Sequence, residues 1–140
     1  MTESSVAARW QSFAPQLQSI LRIAGAIMFI QFGAMKLFGL PIGMPPNNAI
    51  ATPLTEAWNG GVLEVVGGLL LLVGLFTRPV AFILAGEMAV AYFQFHHPQS
   101  PWLVVNQGTG AALFCFVWLY FSAAGAGPWS LDAKRHKGRN

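Results

Sequence analysis

Charge is what this chain has least of. Only 9% of its 140 residues are Asp, Glu, Lys or Arg, where a soluble domain carries about 25%. So little charge cannot supply a polar coat in water, and lipid is the expected solvent. Cysteine is nearly missing as well. Cys115 stands alone in an apolar run, which excludes an intrachain disulfide, a CxxC redox pair and a paired-cysteine metal site. No Gly-rich phosphate loop and no HExxH helix is present. The formal net charge of +3 comes from sparse Lys and Arg with no binding motif, so nucleic acid is not an expected partner.

What the chain does have is apolar length. Hydrophobic residues make up 54%, and four segments approach the ~20 residues that cross a bilayer as a helix. They run from about Gln18 to Gly39, Trp58 to Phe76, Pro79 to His97 and Leu103 to Ala124. Four spans are too few to close a barrel, so each must satisfy its own backbone as a helix. The fold class expected is therefore all-α, a four-helix transmembrane bundle. Glycines within the spans (Gly25, Gly33, Gly67, Gly68, Gly74, Gly86) allow close helix approach. Prolines 41, 45, 46, 53, 98 and 101, the Thr77-Arg78-Pro79 turn, and Gly125, Gly127 and Pro128 fall between or after the spans. Residues 1–19 are too polar for a signal core, so the first span is expected to be retained.

Orientation follows from the basic residues. Arg9, Arg78, Lys134, Arg135, Lys137 and Arg139 all fall on the side that holds both termini, and loops 40–57 and 98–102 have none. The positive-inside rule makes the termini cytoplasmic, with Trp58 and Trp102 at the outer boundary and Trp129 at the inner one. Three segments result: an N-terminal cytoplasmic or interfacial piece (1–17), a membrane domain (18–132) and a basic tail (133–140).

Four ionisable residues interrupt these spans: Arg22, Lys36, Glu64 and Glu87. A lipid-facing charge at membrane depth costs roughly 2.5–3.5 kcal/mol on insertion scales, so they are expected to face inward and pair. Lys36 and Glu64 lie at similar depth near the outer end, which predicts an ion pair. Glu87 is placed near mid-membrane, where Arg22 either reaches towards it or snorkels to the inner surface. The charges either hold the bundle in register or line a polar cavity for a quinone head group, another small ligand or a proton. Glu87 is the leading candidate for taking up and releasing a proton.

Other polar residues carry weaker signals. Adjacent His96 and His97 point about 100° apart on a helix and have no evident third ligand, so no metal is expected. Either serves a helix end, with a proton relay as the alternative. Asn106, Gln107 and Thr109 read first as caps of the fourth span and second as ligand contacts beside Lys36 and Glu64. Gln31 and Gln94 are candidates for joining helices. Phe93, Phe114, Phe116, Trp118 and Tyr120 read as packing or lipid contacts before a quinone-ring pocket, and Cys115 as a small buried filler.

Several stretches together resemble the DoxX family. They are Phe32-Gly33-Ala34-Met35-Lys36-Leu37-Phe38-Gly39, Leu63-Glu64-Val65-Val66-Gly67-Gly68, and Gly74-Leu75-Phe76-Thr77-Arg78-Pro79. Ala91-Tyr92-Phe93, His97-Pro98, Asn106, Phe114-Cys115-Phe116, Leu119-Tyr120 and Gly127-Pro128-Trp129-Ser130-Leu131-Asp132 follow in order. The likeness covers roughly residues 20–132. It implies a small multi-pass protein of the bacterial inner membrane. Members are commonly called oxidoreductases, with relatives in thiosulfate:quinone oxidoreductase and in redox-stress complexes. Arg22, Lys36, Glu64 and Glu87 match polar positions of the family pattern. A family glutamate after Asn-x-Gly is replaced here by Thr109, so any activity needing that glutamate is absent or altered.

The leading expectation is a quinone-linked oxidoreductase subunit working with a protein partner or as a homo-oligomer. Glu87 and Glu64 would be catalytic, and Arg22, Lys36, His97, Asn106 and Thr109 would line the pocket. No intrinsic cofactor is expected, so electrons would come through a bound quinone or the partner. The alternatives are a non-catalytic scaffold of a redox-stress complex, or a small-solute transporter.

Overall fold

The computed structural model describes residues 3–138; Arg139 of the basic tail lies outside them. Seven α-helices follow in order among the described residues. They are α1 (Glu3–Gln11), α2 (Ala14–Phe38), α3 (Glu56–Val73), α4 (Thr77–Ala91), α5 (Leu103–Asn106), α6 (Thr109–Ala124) and α7 (Leu131–Lys137). A π-helical turn, Tyr92–His96, continues α4. No strand is present among the described residues, only an antiparallel bridge between Met44 and Ala49. By length and apolarity alone, the helical run Ser5–Phe38 and the helix Glu56–Val73 could each cross a membrane.

The expected segment ends shift for local reasons. Pro15, in the first turn of α2, lacks the N–H that position would leave unpaired, so the helix starts earlier than Gln18. α3 stops at Val73 because Gly74 adopts a left-handed conformation (φ 69°) and returns its N–H to Leu71 O. The segment 103–124 is not one helix. It breaks at Gln107-Gly108, leaving α5 with four residues and α6 with 16. α7 runs across 132/133, the expected start of the basic tail.

α2 packs on α3, α3 on α4, and α4 on α6. Large side chains complete the set: Phe29 of α2 meets Trp118 of α6 edge-on at 5.4 Å. The core is Ala26, Phe29, Leu71, Ala81, Leu84, Ala85, Met88, Trp118 and Phe121. Gly33 sets the α2–α3 approach, because a Cβ there would lie 2.8 Å from Gly61 O and 2.9 Å from Val65 N. The outward faces are apolar, with Phe32, Phe82, Ile83, Leu113 and Phe116 all exposed. Apolar surface on this scale needs a covering. The loop after α2 folds back on it, where Ala51 N donates to Lys36 O at 2.7 Å.

Candidate functional site

Three helices bring three charged side chains to one place. Lys36 of α2 donates from Nζ to Oε1 of Glu64 on α3 at 2.6 Å, the pair expected from depth. Glu87 of α4 joins them. A Cβ on Gly60 would lie 3.2 Å from Glu87 Oε1 and 3.7 Å from Lys36 Nζ, so the absence of that Cβ makes room for the cluster. Glu64 is buried, Glu87 is half-buried and the Lys36 side chain is 22% exposed. Oε2 of Glu64 and Oε2 of Glu87 are both buried with no hydrogen-bond donor. The second carboxyl therefore sits with the first, and Arg22 is not its partner.

One signal for this was present in the sequence. Glu64 precedes Gly74 by ten residues and Glu87 follows Thr77 by ten. At 1.5 Å per residue each stands about 15 Å above the same tight turn.

Arg22 has a different role. It is fully buried at the other end of α2. Its Nε donates to Ala126 O at 2.8 Å, Nη1 to Leu72 O at 2.7 Å and also to Leu71 O, and Nη2 to Trp129 O at 2.5 Å. It neither snorkels nor meets Glu87. The guanidinium instead answers the open carbonyls at the C-terminus of α3, where the helix dipole also favours a cation. Ser19 and Gln18 tie the same loop, through Trp129 N to Ser19 Oγ (3.2 Å) and Gln18 Nε2 to Gly125 O (2.7 Å). Asp132 closes the turn by accepting from Phe76 N and Thr77 N, both at 2.9 Å. None of these three was singled out from the sequence.

Asn106 is buried in a second polar knot. Its Oδ1 accepts from Gly108 N at 2.7 Å, and its Nδ2 donates to Ser100 O at 2.8 Å and to Tyr92 Oη at 3.4 Å. Thr109 Oγ1 donates to Leu103 O at 3.4 Å. These bonds bridge the α5–α6 break, so the expected capping takes the form of a turn and not of an N-cap on one long helix. The ring of His96, not of His97, joins this knot, with Nδ1 2.9 Å from Asn106 O. His97 is exposed and touches only Tyr92 and Phe93 among the aromatic contacts. Gln31 bonds within its own helix, to Ile27 O, and Gln94 is exposed, so the expected interhelical bonds of these glutamines are not formed. No group of three metal-ligating side chains occurs among the described residues.

Aromatic residues divide by face. Trp118 is in the core against Phe29 and Phe114, while Phe93, Phe116 and Tyr120 point outward. Cys115 is half-buried. An apolar hollow of about 410 Å³ lies between α2, the loop after it and α6, lined by Met28, Gln31, Phe32, Met35, Pro41, Ile42 and Phe114.

The DoxX family model matches residues 17–97, a stretch that contains Arg22, Lys36, Glu64 and Glu87. The chain belongs to the DoxX family. Among DoxX relatives, a Haemophilus influenzae protein described as "Uncharacterized protein" is 41% identical over 131 residues, covering 91% of this chain and 96% of its own. The Escherichia coli "Inner membrane protein YphA" is 30% identical over 115 residues, covering 80% and 79% respectively. No solved structure matches this DoxX chain. The DoxX match ends at His97, so the Asn106–Thr109 turn and α6 lie beyond it.

Proposed function

We propose that this DoxX membrane protein crosses the bacterial inner membrane as a four-helix bundle of α2, α3, α4 with its π turn, and α5–α6, with both termini cytoplasmic. In this reading it offers a proton-handling polar site to quinone-linked redox chemistry carried out with a partner protein. The supporting observation is the imbalance of the Lys36–Glu64–Glu87 cluster. Fully ionised, it holds one ammonium against two carboxylates, and each carboxylate keeps a buried oxygen without a donor. A proton or a ligand hydroxyl supplies what is missing, and buried charge in a membrane is costly without such completion.

The chain's own groups divide the work. Lys36 holds Glu64 in place and has further N–H donors to offer a carbonyl oxygen. Glu87 is the more accessible carboxyl and would exchange the proton. The apolar hollow beside Phe32 and Phe114 is suited to an aromatic ring or isoprenoid tail. A quinone, if bound there, supplies the electron-carrying chemistry. The test is binding of a ubiquinone or menaquinone analogue to purified protein. Glu64→Gln/Glu87→Gln is expected to weaken binding at least tenfold. Equal binding by the two proteins rejects the site.

A scaffold role is the competing reading, favoured by Arg22, whose bonds all go to backbone. A stoichiometric partner that co-purifies equally with the double variant, from protein carrying no quinone, would select it.

A further inference from the structure

The basic residues around the α3–α4 turn form more than a diffuse positive flank. Two adjoining hollows, of about 330 and 220 Å³, open between the start of α4, the loop after α6 and the face of α7. Phe76, Asp132 and His136 line both, Arg78 lines the first and Arg135 the second.

Each guanidinium is already held. Arg78 Nη1 donates to the carbonyls of Ala123 and Ser122. Its Nη2 would lie 3.3 Å from a Cβ on Gly125, where φ is 84° and no side chain intrudes. No hydrogen bond engages Arg78 Nη2 or Nε among the described residues. Arg135 lies over the Phe76 ring, 4.9 Å from its centroid. The acid that lines both hollows, Asp132, is engaged through both oxygens by Phe76 N and Thr77 N, and its charge is also felt by Arg135.

The rim identifies the occupant. Phe76, which lines both hollows, is exposed, as are Trp129 in the loop after α6 and Leu131 at the start of α7, a mixture of apolar and basic surface that suits the head-group level of a membrane. We propose that this cleft binds the phosphate of an anionic phospholipid, held between the guanidiniums of Arg78 and Arg135 with His136 as a further donor. Pre-positioned Arg forks match phosphate oxygens and lose little freedom on binding. The proposal is independent of the quinone reading, because the cleft and the carboxylate cluster lie at opposite ends of α4.

Native mass spectrometry of the detergent-purified full chain, titrated with phosphatidylglycerol or phosphatidylcholine, tests this. One phosphatidylglycerol per chain should be retained in preference to phosphatidylcholine. Arg78→Gln/Arg135→Gln should weaken retention at least tenfold, and Lys134→Gln/Lys137→Gln less than twofold. If the Arg78 variant fails to fold, Arg135→Gln and His136→Ala, both on the exposed face of α7, should each weaken retention at least threefold. Equal losses in the arginine and lysine variants would mean diffuse attraction and overturn the proposal. Equal retention of the two lipids would overturn it too. Displacement by inorganic phosphate would assign the cleft to a free anion and reject the lipid.

Discussion

Asp132 shows how one side chain can govern a helix junction. Its two oxygens take the first N–H groups of α4, donors that no intrahelical carbonyl can reach. Desolvation pushes the carboxyl up, but the hydrogen bonds from Thr77 and Phe76 together with the charge of Arg135 outweigh it and hold the group below its ordinary 3.8. A depressed carboxyl contributes stability that is complete above 3.8 and is lost as pH falls through the lower folded value. Thermal unfolding in detergent should therefore show the wild type losing stability as pH drops below 3.8. Asp132→Asn keeps one acceptor oxygen and loses the other with the charge, so it should be less stable by ~1 kcal/mol at neutral pH and should lack that acid slope. An unchanged slope in the variant would remove Asp132 from this role. Legibility at this scale was uneven. Lys36–Glu64 was readable because both sit at similar depth near one end of regular helices. Arg22 was not, because its partners are all backbone carbonyls, of an irregular loop and of the end of α3, which leave no mark in the side-chain pattern.

Among the elements, the α2–α3 contact depends on a residue with no side chain. An alanine methyl at Gly33 would press on Gly61 O and Val65 N. Both are backbone atoms, so the helices must separate and Lys36 is drawn from Glu64. Overpacking of this kind costs typically 1–3 kcal/mol. Gly86 is the natural control, since a Cβ there meets nothing within 4 Å and alanine gains roughly 0.5–1 kcal/mol over glycine in a helix. Gly33→Ala should lower the midpoint of thermal unfolding and Gly86→Ala should hold or raise it; equal shifts would show that the close approach does not matter. Hydrophobic length located all the main helices but concealed the break at Gln107-Gly108. Apolar runs lie on either side, Leu103-Val104-Val105 before it and Ala111-Ala112-Leu113-Phe114 after it, and what breaks the helix is the bonding of Asn106 to Gly108 N and Ser100 O.

For the whole molecule, the strongest constraint is where polar and apolar surface lie. Large apolar side chains are exposed along α2, α3, α4 and α6. Arg78, Lys134, Arg135 and Lys137 gather at the α3–α4 turn and α7, and the loop at 39–55 carries no Lys or Arg. The proposed topology therefore places Asn47 and Gln99 on the non-cytoplasmic face of the inner membrane and Lys137 on the cytoplasmic face. All three are exposed, so each can report its side once replaced by cysteine. The chain's one native thiol, Cys115, is removed first as Cys115→Ala. In intact cells a membrane-impermeant maleimide should label Asn47→Cys and Gln99→Cys, and should reach Lys137→Cys only after permeabilisation. The reverse pattern would invert the protein and move the Arg78–Arg135 cleft to the outer leaflet. Labelling of Asn47→Cys and Gln99→Cys from opposite sides would break the four-span arrangement itself, because crossings by both α3 and α4 must return these loops to one side.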